Sequence, residues 1–232
     1  MESMIESSRL RSLTAFGREA LAYARQASLL HRDMSPSAPT HALPGDHVVV
    51  VIHGLFATAG VLRPLRMHVE SETDSHTASF TYAPGRGVHQ IARQLGALIA
   101  DIPSDAHIHL VGHSMGGIVA RWFVQELGGD PRIVQSISMG SPFRGTHRAR
   151  LMPNAAGRDI SPDSRVLRRL EEHPNPAVPH LSIVGSEDTV TGVVGYRHGE
   201  RLVIDDCGHN ALLYHPRALA AVASQVRAFR SS

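Results

Sequence analysis

The residues best placed to carry out chemistry form a G-x-S-x-G motif at residues 112–116, with Ser114 at its centre. The motif follows an apolar run at residues 107–111, which predicts a strand, and it leads into a helical pattern. A serine in a sharp strand-to-helix turn projects its hydroxyl above the sheet, and Gly112 and Gly116 allow the close backbone contacts of such a turn. We therefore expect Ser114 to be a nucleophile, the alternative being an idle serine in a glycine-rich turn.

An acid that could support this serine stands further along the chain. A serine hydroxyl is a weak nucleophile unless a base takes its proton, and a carboxylate must orient that base. Asp188 follows the apolar run 181–184, at the carboxyl end of a predicted strand, where open α/β sheets place their sites. We predict Asp188 as the acid, with its neighbour Glu187 as the alternative. Asp205 and Asp206 come too close in sequence to the expected base.

The base is expected after the acid in chain order. His209 lies in a loop after the predicted last strand, residues 201–204, and Gly208 gives that loop room to turn toward the serine. Two other histidines follow the acid: His198 lies in a polar turn, and His215 precedes a proline at a helix entry. We predict His209 as the base.

Two backbone N–H groups are candidates for holding a negatively charged oxygen. One belongs to Met115, directly after the nucleophile, and the other is expected in a loop after an earlier strand. There we predict the N–H of Leu55, with Phe56 as the alternative, since Gly54 lets the backbone turn toward the serine. His53 lies upstream of the serine, so we expect it to shape this loop and not to act as the base.

The elements that must position these residues alternate between strands and helices. Continuous β-branched runs such as residues 48–52 are typical of strands buried on both faces. The alternation predicts a doubly wound, mostly parallel α/β sheet of about six strands. The predicted strands are residues 48–52, 77–82, 107–111, 133–139, 181–184 and 201–204, and the predicted helices are residues 88–102, 115–127, 164–172 and 216–230.

The N-terminal residues have a different pattern. Apolar residues recur at helical spacing over residues 4–32, which predicts one or two helices packed on the domain. The arginines of this segment leave open an amphipathic helix that touches a membrane surface or a partner. A linker containing Pro and Ser follows at residues 35–44. We therefore predict a helical extension and linker over residues 1–44 and a catalytic domain over residues 45–232.

Composition excludes several other classes. The chain has 232 residues, 42% hydrophobic and 19% charged, which suits one globular domain. Its net charge is +2 and its basic residues, all arginine, form no block, so we expect no nucleic-acid partner. No apolar run reaches the roughly 18 residues of a membrane span, and the N-terminus lacks a signal peptide's apolar region, which favours a cytoplasmic location.

We further expect a monomer with no metal and no cofactor. None of the 16 histidines shows a metal-ligand spacing such as H-E-x-x-H. The single cysteine, Cys207, excludes an internal disulfide.

Four blocks of sequence resemble bacterial lipases and esterases of the α/β-hydrolase superfamily. They are residues 53–56, residues 112–121, the G-S-P-x-x-G-T block at 140–146, and residues 185–188. The resemblance runs from about residue 47 to residue 230 and implies an α/β-hydrolase fold.

The resemblance also implies a covering segment, or lid, at about residues 146–179. This lid is short. Arg148 and Arg150 put charge where such segments are often apolar, which speaks against long-chain triacylglycerols. Four apolar residues there are candidates for the wall of an acyl pocket, with ordinary core positions as the alternative: Leu151, Met152, Leu167 and Leu170.

These residues predict hydrolysis of carboxylic esters through an acyl-enzyme on Ser114. An acyltransferase or a thioesterase would use the same three side chains, so both stay open as alternatives. A third alternative, from a different class, is a non-catalytic binding protein on a hydrolase fold.

Overall fold

The structure, a computed structural model, describes residues 2–39, 43 and 45–230, with side chains described from residue 14 onward. Within these residues, six strands form one parallel sheet in the chain order 2-1-3-4-5-6. The predicted fold class is confirmed. The strands are β1 (His47–Ile52), β2 (His76–Ser79), β3 (His107–His113), β4 (Ile133–Met139), β5 (His180–Gly185) and β6 (Glu200–Ile204).

Helices cover both faces of this sheet. The described helices are α1 (Glu2–Leu29), α2 (Arg63–Thr73), α3 (Val88–Ala100), α4 (Met115–Glu126), α5 (Ala155–Asp159), α6 (Arg165–Glu172) and α7 (Pro216–Arg230). Short 3₁₀ turns occupy Ala59–Leu62, His147–Leu151 and Ala211–Tyr214.

The β-branched run of β1 is explained by the two cores that it joins. Val48, Val50 and Ile52 belong to the core that also contains the buried residues of α3, α4 and α6. Val49 and Val51 belong to the second core, with α2 and α7. Because successive side chains of a strand point to opposite faces, a strand covered on both sides must be apolar at every position.

The carboxyl ends of the strands gather the predicted site residues at one edge of the sheet. The loop 53–56 follows β1, Ser114 follows β3, Asp188 follows β5, and His209 follows β6. Parallel strands present all these ends on the same side, where open α/β sheets bind their ligands. The fold therefore places residues from four strands within reach of one another.

The N-terminal segment forms one helix, α1, that packs on the rest of the chain. Near its end, a Cβ added at Gly60 would lie 2.4 Å from the carbonyl oxygen of Leu29, so only glycine allows this approach. The hydroxyl of Thr58 donates to the carbonyl of Leu30 at 3.0 Å. No helix in the described part of the chain is both long and apolar enough to cross a membrane.

Some predicted elements differ from those in the structure. The strand predicted at 77–82 is β2 and ends at Ser79, because Tyr82 gives its N–H to His53 Nε2 at 3.2 Å and not to a neighbouring strand. The predicted helices 88–102 and 115–127 end earlier, as α3 and α4. Of the predicted linker 35–44, residues 40–42 and 44 lie outside the described residues. The domain division at residue 44 stays a prediction.

Candidate active site

Ser114 lies in a strained turn between β3 and α4. Its φ of 52° and ψ of −123° put a non-glycine residue in a region that costs about 1–3 kcal/mol. Hydrogen bonds hold it there: the N–H of Ser114 donates to Met139 O at 2.9 Å, and the Ser141 hydroxyl donates to Ser114 O at 2.6 Å. This is the conformation that a nucleophile elbow requires.

The two glycines of the motif leave no room for a side chain. A Cβ at Gly112 would lie 2.2 Å from the backbone of Gly116 and Gly117. A Cβ at Gly116 would lie 2.2 Å from the carbonyl oxygen of Ile52 in β1. Since the obstacles are backbone atoms, the turn cannot relax without separating α4 from the sheet.

The predicted acid and base contact each other directly. Nδ1 of His209 lies 2.8 Å from Oδ2 of Asp188, and both side chains are buried. The same carboxylate accepts the N–H groups of Val190 and Thr191 at 2.8 and 2.9 Å, and the Thr191 hydroxyl at 2.7 Å. With Nδ1–H donated to Asp188, Nε2 of the ring is the nitrogen that can accept a proton.

Asp188 is held in its charged form. Burial alone would raise the pKa of its carboxyl group. The hydrogen bond and the charge of His209, together with the hydrogen bonds of Thr191, outweigh burial and bring the pKa below its ordinary value. The carboxylate can therefore stabilise a positive charge on the His209 ring.

His113, which occupies a variable position of the motif, contacts His209, the predicted base. Its Nε2 lies 3.2 Å from the carbonyl oxygen of His209, and the two ring centroids are 4.9 Å apart. Burial lowers the pKa of His113 to about 3, so the ring is neutral and donates through Nε2–H. Sequence reasoning did not identify this residue, since its motif position accepts any residue type.

The loop after β1 is fixed by His53. Its Nδ1–H donates to the carbonyl of Gly54 at 2.7 Å, and its ring stacks on Tyr82 with centroids 3.8 Å apart. The Tyr82 hydroxyl donates to the carbonyl of His53 at 2.6 Å. Burial lowers the pKa of His53 to about 4, so the ring stays neutral. These contacts support the loop-shaping role proposed for His53.

A cavity of about 450 Å³ brings the elements of the site together. Ser114, His209 and Leu55, from the loop after β1, all border it. Its size lies within the range of ligand pockets. Side chains from α1, from the residue that follows it and from the segment after β4 line its walls: Tyr23, Ala27, Leu30, Met152 and Ile160.

The segment at 146–179 contributes less of this cavity than its four apolar candidates suggest. Met152 borders the cavity. Leu151 is 84% exposed, while Leu167 and Leu170 are buried in the core. Leu167 and Leu170 thus follow the ordinary-core alternative, whereas Leu151 follows neither interpretation.

Two of the alternative residues are engaged elsewhere: His198 Nε2 contacts the backbone of α6 at 2.8 Å, and Asp205 pairs with Arg217 on the surface. Glu187 borders a second cavity that His209 also borders, but the carboxylate in contact with His209 is that of Asp188. Burial raises the pKa of the Cys207 thiol to about 12, which keeps it protonated.

Comparison with protein families gives a match over the first strands of the sheet. The family model for palmitoyl protein thioesterases matches residues 48–174. No curated protein matches the chain.

Solved structures share the fold at low sequence identity. The mature form of Bacillus licheniformis lipase BlEst2 superposes with a TM-score of 0.66 and 12% identity over 82% of this chain and 96% of that one. Aspergillus fumigatus lipase B superposes with a TM-score of 0.62 and 16% identity, over 83% of this chain and 55% of that one. A serine hydrolase involved in carbazole degradation (CarC) superposes with a TM-score of 0.53 and 18% identity, over 81% of this chain and 93% of that one. Two of these proteins are lipases by name, and the third is a serine hydrolase.

Proposed function

The chain belongs to the palmitoyl protein thioesterase family, and from that premise we propose that it hydrolyses acyl esters through a covalent acyl-enzyme on Ser114. The observation that carries the proposal is the 2.8 Å contact between His209 and Asp188, both on loops at the sheet edge where Ser114 occupies a strained turn. A buried carboxylate–histidine pair near a serine in a nucleophile elbow is the arrangement that activates a serine.

The proposed reaction has two stages. Nε2 of His209 accepts the Ser114 proton as Oγ attacks the carbonyl carbon, and the resulting oxyanion is held by the N–H groups of Leu55 and Met115. The tetrahedral intermediate collapses, the acyl group stays on Ser114, and His209 gives its proton to the leaving group. Water then attacks the acyl-enzyme with His209 as base, which releases the acid and restores the serine.

Hydrolysis of thioesters is the second candidate, and the family match favours it. The same residues serve both reactions. A thiol has a pKa of about 8.5, so it leaves more easily than an alcohol and needs less help from the protonated His209. Preference between the two is therefore a matter of how the leaving group fits the site.

Hydrolysis of p-nitrophenyl esters from acetate to palmitate, and of acyl thioesters with the same acyl chains, tests the proposal. We expect turnover by the wild-type protein and its loss in Ser114→Ala, with a fluorophosphonate probe labelling only the wild type. The ratio of kcat/KM between ester and thioester of one acyl chain decides between the candidates. Turnover that survives in Ser114→Ala would refute the mechanism. An added alcohol that captures the acyl group would identify a transferase instead.

A further inference from the structure

The helix α1 lies before the residues that the family match covers, yet it borders the cavity that contains Ser114. Tyr23 and Ala27 are four residues apart, so they share one face of α1, and Leu30 directly follows the last residue of the helix. Met152 and Ile160 border the same cavity. The helix is therefore part of the wall around the serine.

One end of this wall is fixed next to the proposed base. The Glu19 carboxylate accepts the backbone N–H groups of Asn210 and Ala211, both at 2.9 Å, and the side-chain amide of Asn210 at 2.7 Å. Gln26 donates to the side-chain oxygen of Asn210 at 2.7 Å. These contacts join α1 to the two residues that directly follow His209.

The other end of the wall is also fixed. The close contact between Gly60 and the carbonyl of Leu29 and the hydrogen bond from Thr58 hold the last turn of α1 against the loop after β1. That loop contains Leu55, the proposed oxyanion donor. The wall is thus attached both to the loop that carries His209 and to the loop after β1 that contains Leu55.

Ala27 is the smallest side chain on this face, between Tyr23 and Leu30, and it faces the cavity. An apolar wall suits the apolar half of an ester, which in a fatty acyl ester is the acyl chain. Given the proposed function, we propose that α1 is a wall of the acyl-binding pocket and that Ala27 determines how long an acyl chain the site accepts.

The test compares two tryptophan variants of one helix. Both alanines are exposed, but Ala27 borders the cavity, whereas Ala24 borders none of the described cavities. With p-nitrophenyl esters from acetate to palmitate, we expect Ala27→Trp to lower kcat/KM for the longer esters relative to acetate, about fourfold for each excluded methylene. Ala24→Trp should keep the wild-type profile. The same chain-length profile in both variants overturns the proposal.

A second measurement separates this proposal from the proposed function. Tyr23→Trp puts an indole on the same wall, and its fluorescence is followed while decanoate is added, with Ala24→Trp as the matched control. We expect a blue shift in Tyr23→Trp alone, and no response in either variant overturns the proposal. If no ester or thioester is hydrolysed and no probe labels Ser114, the proposed function fails, and this titration still decides whether α1 binds acyl chains.

Discussion

Ser114 occupies a backbone conformation that serine rarely adopts, and contacts from neighbouring residues hold it there. Gly112 and Gly116 let β3, β1 and α4 approach within backbone contact, and Ser141 ties the Ser114 carbonyl in place. A strained residue persists only where the surrounding structure determines its conformation. The surrounding contacts thus fix the backbone of Ser114 at the cavity that His209 also borders.

Asp188→Asn is expected to lower kcat by about 10⁴-fold while the protein stays folded. An amide in place of the carboxylate removes the charge that stabilises the imidazolium and favours the wrong His209 tautomer. The variant is compared with wild type in ester hydrolysis, and its fold is checked by thermal unfolding.

Asp205→Asn is the matched control, since Asp205 is an exposed carboxylate that pairs only with Arg217 among the described contacts. It should leave kcat unchanged. A folded Asp188→Asn protein with kcat within tenfold of wild type would contradict the assignment of the acid.

At this scale the sequence predicts some roles and misses others. The strand–turn–helix setting of Ser114 and the chain order of Asp188 and His209 are local or ordered signals, so they can be predicted. His113 occupies a motif position without a type requirement, and Glu19 contacts residues 191 positions away. Long-range partners of this kind leave no local pattern.

At the scale of elements, the Glu19 carboxylate accepts several of the hydrogen bonds that join α1 to the residues after His209, and Gln26 adds another. Glu19→Gln should lower the free energy of unfolding by about 1.5–3 kcal/mol, because hydrogen bonds to a charged group are replaced and an amide N–H₂ meets two backbone N–H groups. Urea unfolding measures this change.

The matched control is Glu172→Gln, an exposed glutamate on α6. It should unfold like wild type. Equal stability of Glu19→Gln and wild type would show that Glu19 does not anchor α1.

The strand and helix elements could be predicted where both cores demand apolar residues, as in β1. The helix α2 gives a weaker signal, because only Leu65, Val69 and Thr73 are buried and Met67 is 60% exposed. The strand predicted beyond Ser79 fails for a different reason: Phe80 and Tyr82 are buried, but Tyr82 serves the His53 loop. Burial can be predicted from such residues, whereas the hydrogen-bond partner cannot.

At the scale of the whole molecule, the two cores enclose several neutral histidines. At the amino-terminal end of the sheet, Gln135 donates to His109 Nδ1 at 2.7 Å, and His109 Nε2 lies 2.8 Å from His47 Nδ1. Burial and neighbouring positive groups lower the pKa of His109 to about 3 and that of His47 to about 4. Burial also keeps His180 neutral, with its pKa well below 6.5.

Acid should therefore destabilise the chain. Because these pKa values are lowered in the folded state, the unfolded chain binds protons first as the pH falls. The free energy of unfolding is thus highest above the ordinary histidine pKa of 6.5 and falls as the pH drops toward about 4. Each such histidine is expected to add up to about 1.4 kcal/mol per pH unit to the slope of the unfolding free energy against pH. Urea unfolding between pH 7.5 and 5 measures this slope.

His109→Gln should reduce this slope by up to about 1.4 kcal/mol per pH unit, because the unfolded variant binds one proton fewer. This holds whatever the effect of the substitution on stability at pH 7.5. A flat profile in the wild type would mean that the buried histidines bind protons as readily as they do in the unfolded chain.

The contact between Glu19 and Asn210 also sets an order for biosynthesis. The two residues are 191 positions apart, and at 5–20 residues per second a ribosome takes about 10–40 s to make the chain between them. The helix α1 emerges first but meets its partner only after β6 has been translated. A chain that has not been translated as far as Asn210 therefore lacks both the loop that carries His209 and the docked α1, so the proposed hydrolysis requires that this loop has left the ribosome.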